Sequence, residues 1–471
     1  MNIAVIGGGW AGLSAAVRLR QYGFSVVVFE ASRTLGGRAR RVHSAALDAS
    51  IDNGQHILLG AYTETLSLMQ ELGLDTGALL HRERLGLRSA DGSFALQTAA
   101  LPAPLHLLGG ILGTRGLNIT ERFRVIAIAQ GLRRRQWKTT QGQTVAQWLE
   151  RGRQSSRAIQ MFWQPLCLAA LNTPLHEACA QLFARVLQDS LGGPEHACDV
   201  LIPRVDLSQL WPEHVEHYAP ANATGELRLR QGHAVRQLSG ATSQVEVDGA
   251  AFDAVVVAGN APAAHRLLTQ LCPSETGVEY LSMLAAFEYI PIATLTLRLE
   301  RPWRLQQPML LLKDAPEALQ FGQWLFDRSA LMLESAARSQ VSAQRENGSS
   351  ARVTKNAAAT PATARLVNIV VSDARAMMSH PRADVVAATI AQVRDQSRHL
   401  GGMPAVLNHE LIVEKRATFA AVPGLKRPPT RTPWPRVWVA GDWTDTGYPA
   451  VLEGAVRSGR DAARAVYQAL G

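Results

Sequence analysis

Residues 2–30 read NIAVIGGGWAGLSAAVRLRQYGFSVVVFE, and this stretch decides the fold of the chain. A short apolar strand runs into Gly7, Gly9 and Gly12, which have the spacing G-x-G-x-x-G, and an alanine-rich helix follows. A second apolar strand then ends at Glu30. This order of strand, glycine turn, helix, strand and acid is typical of a dinucleotide-binding unit. The sequence therefore predicts an α/β fold with a Rossmann-like domain.

Each residue of the glycine turn has a physical role in such a unit. Gly7 allows the tight turn, Gly9 lets the backbone approach a pyrophosphate, and Gly12 lets the helix pack closely on the strand. The helix, with Ala11 in its first turn, offers free N–H groups and the positive end of its dipole. Glu30 is placed to accept the ribose hydroxyls of an adenosine. The alternative interpretation is a glycine-rich loop with a structural use only.

Composition and charge limit the class of protein. The chain has 471 residues with 47% hydrophobic content, which predicts two or three domains and a large core. The net charge of +9 comes from dispersed arginines, and only residues 133–135 form a compact arginine run. A nucleic-acid partner needs a clustered basic face, so none is expected. We expect an α/β enzyme, with attraction to an anionic membrane surface as an alternative use of the charge.

The cysteines give no sign of a disulfide framework or a metal site. Neither C-x-x-C spacing nor a neighbouring histidine cluster is found at Cys167, Cys179, Cys198 and Cys272. We therefore expect buried thiols, no metal, and a reducing, cytoplasmic location. Because the first strand begins at once and no run of about 18 apolar residues occurs, neither a signal peptide nor a membrane-spanning helix is expected.

Two further stretches near the N-terminus are candidates for ligand contact. Leu35, Gly36, Gly37 and Arg38 combine a backbone that can approach a ligand with a guanidinium suited to phosphate oxygens. Residues 51–60 then read IDNGQHILLG, with polar residues between apolar ones, as in a cavity wall.

The candidates in this second stretch are Gly54 and Gln55 for a cofactor, and Asp52 and His56 for chemistry. The alternative is an ordinary turn, in which Asp52 bonds local backbone and His56 makes a structural hydrogen bond.

The middle of the chain is apolar and helical. Residues 101–113 read LPAPLHLLGGILG, and Asn118 with Glu121 predicts a capping box that opens a helix closed by the arginine run. This stretch is either the cap of a substrate domain or a segment that enters the lipid interface with its arginines at the headgroups. Further on, Thr173 and Pro174 predict the start of another helix, which runs through residues 183 and 186.

Residues 254–258 read AVVVA and return the chain to the first domain. A run that is apolar on both faces belongs in the centre of a parallel sheet. Strands at residues 293–299 and 309–312 predict a second sheet, which a strand at residues 367–371 resumes. Between them, residues 336–364 are rich in Ala, Ser, Thr and Arg without apolar periodicity, so they predict a mobile insertion.

The last informative block reads VWVAGDW at residues 437–443 and is followed by GYPA and a long helix. The helix carries small residues at helical spacing, which predicts a close packing face. Its N-terminus, set by Pro449 and followed by Ala450 and Val451, points a positive dipole end at the loop that contains Gly441 and Asp442.

Together, the glycine turn, the LGGR stretch and the GD block resemble the FAD-dependent amine oxidase and phytoene desaturase superfamily. The resemblance implies FAD as the cofactor, held in a glutathione-reductase-type domain. It places Arg38 beside the pyrophosphate, the backbone of Val235 at the adenine, and Asp442 at the ribityl or phosphate region. It also implies a substrate domain built from a mixed sheet and helices.

Four longer stretches, DNGQHILLGAY, FWQPLCLAALNTP, LIPRVDLSQL and GDWTDTGYPAVLEGAVRSG, resemble the hydroxysqualene dehydroxylase family. This resemblance implies reductive removal of the hydroxyl of hydroxysqualene to give squalene, with a separate electron donor that no motif identifies. His56 or Asp52 would then be the proton donor or its orienting partner, and residues 101–112 and 162–171 would hold the isoprenoid chain. The insertion at residues 336–364 departs from the family pattern.

The expected domain organisation follows from these resemblances. Residues 1–75, 225–270 and 421–471 would form the FAD-binding domain, residues 76–224 a helical cap, and residues 271–420 the substrate-domain sheet. We expect a cytoplasmic protein with peripheral contact to the inner face of the cell membrane as an alternative. Three rival functions remain: a desaturase or amine oxidase that works in the oxidative direction, an isoprenoid carrier without flavin, and a structural role.

Overall fold

The computed structural model describes residues 1–102, 104–220, 225–240, 243–271, 274–332 and 365–471. Its α-helices are Trp10–Gln21, Thr63–Glu71, Thr76–Leu79, Leu105–Leu112, Ile119–Arg134, Val145–Arg151, Ser156–Ala158, Gln164–Leu171, Ala180–Ser190, Leu207–Leu210, Ala261–Leu268, Glu275–Ala285, Arg382–Gln396 and Leu452–Leu470. Shorter helical turns are the π-helix Ile159–Trp163 and the 3₁₀ segments Glu195–Cys198, Pro212–His217, Pro316–Ala318, Met377–Ser379 and Arg398–Leu400. Among the helices described, none is both long enough and apolar enough to cross a membrane.

A five-stranded parallel sheet brings distant parts of the chain together. In spatial order its strands are Leu227–Gln231, Ser25–Glu30, Asn2–Ile6, Ala254–Val257 and Val437–Val439. The fully buried strand Ala254–Val257 lies between the first strand and the last, and it pairs in parallel with both. The prediction that this apolar run returns to the centre of the first sheet is therefore confirmed.

The first and last helices pack against each other on this sheet. Gly459 makes the close approach possible, since a Cβ added there would lie 2.2 Å from the carbonyl oxygen of Ala11. The hydroxyl of Ser14 donates a hydrogen bond of 2.9 Å to the carbonyl oxygen of Val456. The small-residue packing face predicted for the C-terminal helix is thus confirmed.

A second five-stranded sheet forms the other main layer. In spatial order its strands are Met309–Leu311, Trp324–Phe326, Leu366–Val371, Tyr289–Leu299 and Val406–Phe419, and all its pairs are antiparallel. The sheet resumes at Leu366–Val371, as predicted, whereas the insertion predicted at residues 336–364 lies outside the described residues.

Smaller sheets complete the architecture. Their strands are Arg41–Ser44 with Ala49–Asp52, Leu58–Leu59 with Val200–Pro203 and Leu80–Glu83, Gly86–Arg88 with Ala95–Gln97, and Leu238–Gly240 with Val245–Val247 and Ala250–Phe252. The predicted α/β fold class with a Rossmann-like domain is confirmed, and the predicted domain bounds stay predictions.

One helix of the cap begins later than its sequence predicts. Thr173 does not cap a helix: its hydroxyl donates to Leu171 O at 3.0 Å and accepts the N–H of Ala421 at 3.0 Å. Cys179 N–H also donates to Ala421 O at 2.7 Å, and the helix starts only at the next residue. Tertiary bonds to the loop at Ala421 therefore override the local signal, whereas the predicted Asn118 capping box is present.

Candidate FAD and substrate site

A cavity of about 780 Å³ is lined by residues of both large sheets and of the helical cap. Part of its wall is polar backbone and charged side chains from the glycine turn, the loop at Arg38 and the loop at Asp442. Another part is apolar and includes Ile57, Leu59, Leu85, Leu87, Leu166, Phe183, Leu187, Val200, Met309, Trp324 and Phe326. The cavity therefore joins a nucleotide-type cradle to a chamber for an apolar molecule.

The glycine turn has the geometry that its spacing predicts. Gly7 has φ of +118°, which favours glycine, and a Cβ on Gly12 would lie 1.9 Å from Gly7 O. A Cβ on Gly9, by contrast, would meet no atom closer than the Cα of Gly37 at 3.7 Å. Gly7 and Gly12 are thus required by packing, whereas the space beside Gly9 is open toward the cavity, which both Gly9 and Ala11 line.

Glu30 lies at the end of its strand with its carboxylate fixed by backbone. It accepts the N–H of Gly8 at 2.6 Å and the N–H of Ser32 at 2.7 Å. A carboxylate retains further acceptor capacity after two such bonds, so ribose hydroxyls can still be bound. Val235 also lines the cavity, and its carbonyl accepts a bond of 3.1 Å from Arg266.

Arg38 and Asp442 form an ion pair in the cavity wall, with Nη2 and Oδ2 2.7 Å apart. The other arm of Arg38 donates to Ala417 O at 2.5 Å. Burial lowers the pKa of Arg38, but the Asp442 carboxylate more than offsets this, so the pKa lies above its ordinary value. Gly37 and Gly441 line the same wall, and Gly441 N–H donates to the Ser458 hydroxyl at 2.8 Å.

The N-terminus of the last helix faces the cavity. Ala450, Val451 and Leu452 line it, and Val451 is the N-cap residue, with no side-chain cap on the first turn. Free N–H groups and the positive dipole end are therefore directed into the cavity, where they can bind an anionic group. Glu453, in the first turn of this helix, is buried, and its carboxylate is directed at the neighbouring helix. There it accepts hydrogen bonds from Glu64 N–H, Thr65 N–H and the Thr65 hydroxyl.

Gly54, Gln55 and His56 line the cavity between its polar and apolar parts. The Nδ1 atom of His56 lies 3.0 Å from Gly54 O and donates to it, which leaves Nε2 as the acceptor of a neutral ring. Burial, aided by the positive charge of Arg38, lowers the pKa of His56. Gln55 is oriented by Asn368, whose amide donates to its Oε1 at 2.9 Å.

Asp52 is placed differently from the expectation. The residues that line the cavity include His56 but not Asp52. The Asp52 carboxylate accepts Leu207 N–H at 2.8 Å and pairs with Arg328 Nη2 at 2.9 Å, and burial raises its pKa to about 6. Because both oxygens are engaged by these partners and Asp52 does not line the cavity, the geometry favours a structural carboxylate over the expected proton donor or orienting partner of His56.

Sequence reasoning missed a polar corner of the cavity. Tyr448 and Asp189 both line it, and the tyrosine hydroxyl donates to the aspartate carboxylate. Arg185 donates to the same hydroxyl at 3.3 Å, and its guanidinium lies 5.1 Å from the ring centroid. Tyr62, which is half-buried and whose pKa is raised by desolvation, lines the cavity as well. These residues come from separate segments of the chain, so no local sequence pattern predicts that they meet in the cavity.

The side chains present fit FAD. The open space at Gly9, the acceptor Glu30, the Arg38–Asp442 pair and the uncapped helix end match the adenosine, pyrophosphate and flavin parts of that cofactor. In the described ranges no group of three or more His, Cys, Asp or Glu side chains is arranged to hold a metal. The described cysteines, Cys167, Cys179 and Cys198, are free thiols, and Cys272 lies outside the described residues.

Comparison with known proteins gives the same cofactor. Residues 10–467 match the family model described as flavin containing amine oxidoreductase. The chain is 28% identical to a hydroxysqualene dehydroxylase of Rhodopseudomonas palustris, with 99% of each chain covered. It is 26% identical to one of Sinorhizobium fredii, over 98% of this chain and 97% of that one. It is also 23% identical to a 15-cis-phytoene desaturase of Solanum lycopersicum, over 99% of this chain and 78% of that one.

Solved structures share the fold. Cyclohexylamine oxidase from Brevibacterium oxydans superposes with a TM-score of 0.64 at 16% identity, with 99% of this chain and 98% of that chain covered. An oxidoreductase from Methanosarcina mazei superposes with a TM-score of 0.66 at 16% identity, over 98% and 100% of the two chains. The family match spans almost the whole sequence and agrees with the cradle described above. The chain therefore belongs to the flavin-containing amine oxidoreductase family, and its cofactor is FAD.

Proposed function

We propose that this oxidoreductase removes the hydroxyl of hydroxysqualene reductively and so forms squalene. The observation that carries the proposal is the end-to-end similarity to proteins named hydroxysqualene dehydroxylase, at 28% and 26% identity with nearly complete coverage. A match over the whole length includes the helical cap and the second sheet, which supply the substrate part of the cavity.

The wall of the cavity supports an isoprenoid substrate. Its substrate part is lined by aliphatic and aromatic side chains from the cap and from the second sheet, such as Leu166, Phe183 and Trp324. An apolar wall excludes water and holds a hydrocarbon chain without demanding polar partners. The few polar side chains in the wall, among them His56, can bind a single hydroxyl group.

The reaction breaks a C–O bond, forms a C–H bond and releases water, so it consumes one hydride and one proton. FAD, when bound and reduced, supplies the hydride. We assign the proton to Nε2 of His56, because Nδ1 is already held by Gly54 O and the ring faces the cavity. Burial and the positive charge of Arg38 lower the pKa of His56, so its protonated ring would be a stronger acid than a free imidazolium and would release this proton readily to the departing hydroxyl.

The test is a single turnover under anaerobic conditions. The FAD-loaded protein is reduced and mixed with hydroxysqualene, and we expect squalene to form in step with reoxidation of the flavin absorbance. Photoreduced free FAD with the same substrate is the control. If the flavin stays reduced and no squalene forms, the proposal is wrong, while membership of the flavin family is unaffected.

Desaturation of an isoprenoid is the second candidate function. It is favoured by the similarity to a 15-cis-phytoene desaturase over 99% of this chain. A desaturase would work in the opposite direction, so the oxidised protein should convert a polyene such as phytoene when a quinone accepts the electrons. A carrier without flavin is tested by the absorbance spectrum, because a purified protein that never binds FAD would be colourless.

A further inference from the structure

A group of exposed apolar side chains lies on the helical cap. Large apolar residues are normally buried, yet several at residues 101–123 are between 41% and 58% exposed, namely Leu101, Leu105, Leu112, Ile119 and Phe123. Isolated exposed leucines are common on soluble proteins, whereas a concentration in one short segment marks an interaction surface.

Four of these side chains, all except that of Leu101, are carried by two helices that pack together, Leu105–Leu112 and Ile119–Arg134. Leu105 and Leu112 are two turns apart, and Ile119 and Phe123 are one turn apart, so each pair lies on one side of its helix. Arg122 joins the helices, since Nη1 donates to Leu112 O at 2.7 Å and Nε donates to Leu117 O at 3.0 Å. The exposed apolar side chains therefore belong to one firmly held unit.

The charge around them is one-sided. Residues 99–135 contain Arg115, Arg122, Arg124, Arg133, Arg134 and Arg135 but a single acid, Glu121. That acid is buried and engaged, because its carboxylate accepts Asn118 N–H at 2.8 Å and the Ser155 hydroxyl at 2.7 Å. Apart from Arg122, which is partly buried, the arginines of this segment are exposed. The surface thus combines apolar side chains with uncompensated positive charge.

We propose that this surface docks on an anionic lipid bilayer. We name it the cap face and define it by Leu105, Leu112, Ile119 and Phe123 together with Arg115, Arg124, Arg133, Arg134 and Arg135. The apolar side chains would enter the boundary between headgroups and acyl chains, and the arginines would bind lipid phosphates. A second copy of this chain fits less well, because it would bring two positively charged cap faces together.

The cap face is connected to the cavity through the helix Leu105–Leu112. On the buried side of this helix, His106 Nε2 lies 3.6 Å from Cys198 Sγ, and Cys198 lines the cavity. Leu107 packs against the cluster that contains Leu85 and Val200, which also line it. One helix therefore faces lipid on its outside and backs the cavity wall on its inside, which is the arrangement that a substrate dissolved in a membrane requires. This last link rests on the proposed function, whereas the docking does not.

The docking is tested with the full FAD-loaded protein and lipid vesicles. We expect it to sediment with vesicles of phosphatidylcholine mixed with phosphatidylglycerol, more weakly with phosphatidylcholine alone, and more weakly at high salt. A double variant, Leu112→Ser with Phe123→Ser, should lower the partition by about tenfold or more. A triple variant, with Arg133, Arg134 and Arg135 each changed to Gln, should lower it by about fivefold per arginine.

The matched control changes exposed apolar residues outside the cap face, Val278→Ser with Met378→Ser, which are 62% and 44% exposed. This control should bind vesicles like the parent protein, and the flavin absorbance of every variant should stay unchanged if the variants fold. Equal vesicle binding by parent and double variant, or no binding at all, overturns the proposal. A dimer that forms without lipid and is lost in the double variant would also overturn it in favour of a second copy. No substrate is used in this experiment, so its result does not depend on whether the proposed function is correct.

Discussion

Arg38 Nη2 lies 2.7 Å from Asp442 Oδ2, so one ion pair joins residues that are 404 positions apart in the sequence. Arg38 follows the glycine pair after the second strand, and Asp442 follows the last strand of the same parallel sheet. Asp442 keeps only 8% of its side chain exposed, and both residues line the cavity. The pair therefore holds the two cofactor loops against each other.

Changing Asp442→Asn should weaken FAD binding and the fold together. The amide keeps the shape but removes the charge that offsets burial of Arg38, at a cost of about 1–3 kcal/mol. We expect a lower ratio of flavin to protein absorbance after gel filtration and a lower melting temperature. The control is Asp395→Asn, whose pairing with Arg398 is exposed and is expected to contribute little. Unchanged flavin retention in Asp442→Asn would remove the pair from cofactor binding.

Gly9 and Gly12 should respond differently to the same substitution. In Gly9→Ala the new Cβ meets only the Cα of Gly37, at 3.7 Å, so the apoprotein should fold with a near-normal melting temperature. The methyl group would nevertheless occupy the space where the backbone approaches the pyrophosphate, and we expect at least about tenfold weaker FAD binding. Isothermal titration of apoprotein with FAD measures this.

Gly12→Ala serves as the contrasting variant, because its Cβ would lie 1.9 Å from Gly7 O. This clash is with backbone, so the first helix must move off the sheet and the yield of folded protein should fall sharply. If Gly9→Ala binds FAD normally, or if it unfolds like Gly12→Ala, the open space beside Gly9 is not the pyrophosphate cradle.

The Rossmann-like unit could be predicted because its signals are local. Gly7, Gly9 and Gly12 are placed by spacing alone, and the apolar run at Ala254–Val257 could only be a central parallel strand. The glycine turn and the apolar run each depend on neighbours within a few residues. The cofactor role of Asp442 is instead implied by the family resemblance, because a glycine and an acid after a strand indicate little without the two N-terminal stretches.

The rest could not be predicted because it depends on tertiary partners. Thr173 has the residue type of an N-cap, but its hydroxyl accepts a hydrogen bond from the N–H of Ala421 instead. Asp52 stands three residues before Gln55 in a cavity-lining loop, yet it pairs with Arg328, which comes from a distant part of the chain. Tyr448 meets Asp189 only in the folded protein. Burial and pairing of polar groups are properties of the whole fold, not of a window of sequence.

Asp52 should make stability depend on pH. Burial raises its pKa to about 6 from an ordinary value of 3.8, so the folded state binds the proton more tightly than the unfolded state does. The stabilisation from this proton is complete below about pH 4 and is lost as the pH rises through about 6, by up to about 3 kcal/mol. Urea unfolding across this range measures the free energy of unfolding of the parent protein and of Asp52→Asn. The difference between the two free energies should change by this amount as the pH rises. Asp395→Asn should follow the parent curve, and a constant offset between the parent and Asp52→Asn would contradict the prediction.

His56→Ala should keep FAD and lose turnover. The ring lines the cavity and donates Nδ1–H to Gly54 O, so its removal leaves the cradle around Gly9 and Arg38 in place. If Nε2 supplies the proton to the departing hydroxyl, the rate of flavin reoxidation by hydroxysqualene should fall by about 100-fold or more.

The pH dependence separates this role from a structural one. A donor must be protonated, so the parent rate should decrease as the pH rises through the pKa of the imidazole in the reduced complex, whereas the residual rate of His56→Ala should not change over that range. His176→Ala is the control, since that side chain is 75% exposed. Full activity in His56→Ala would exclude His56 from the mechanism. A low rate that keeps the parent pH profile would assign His56 to positioning. The proton would then come from another group, such as the Tyr448–Asp189 pair in the same cavity.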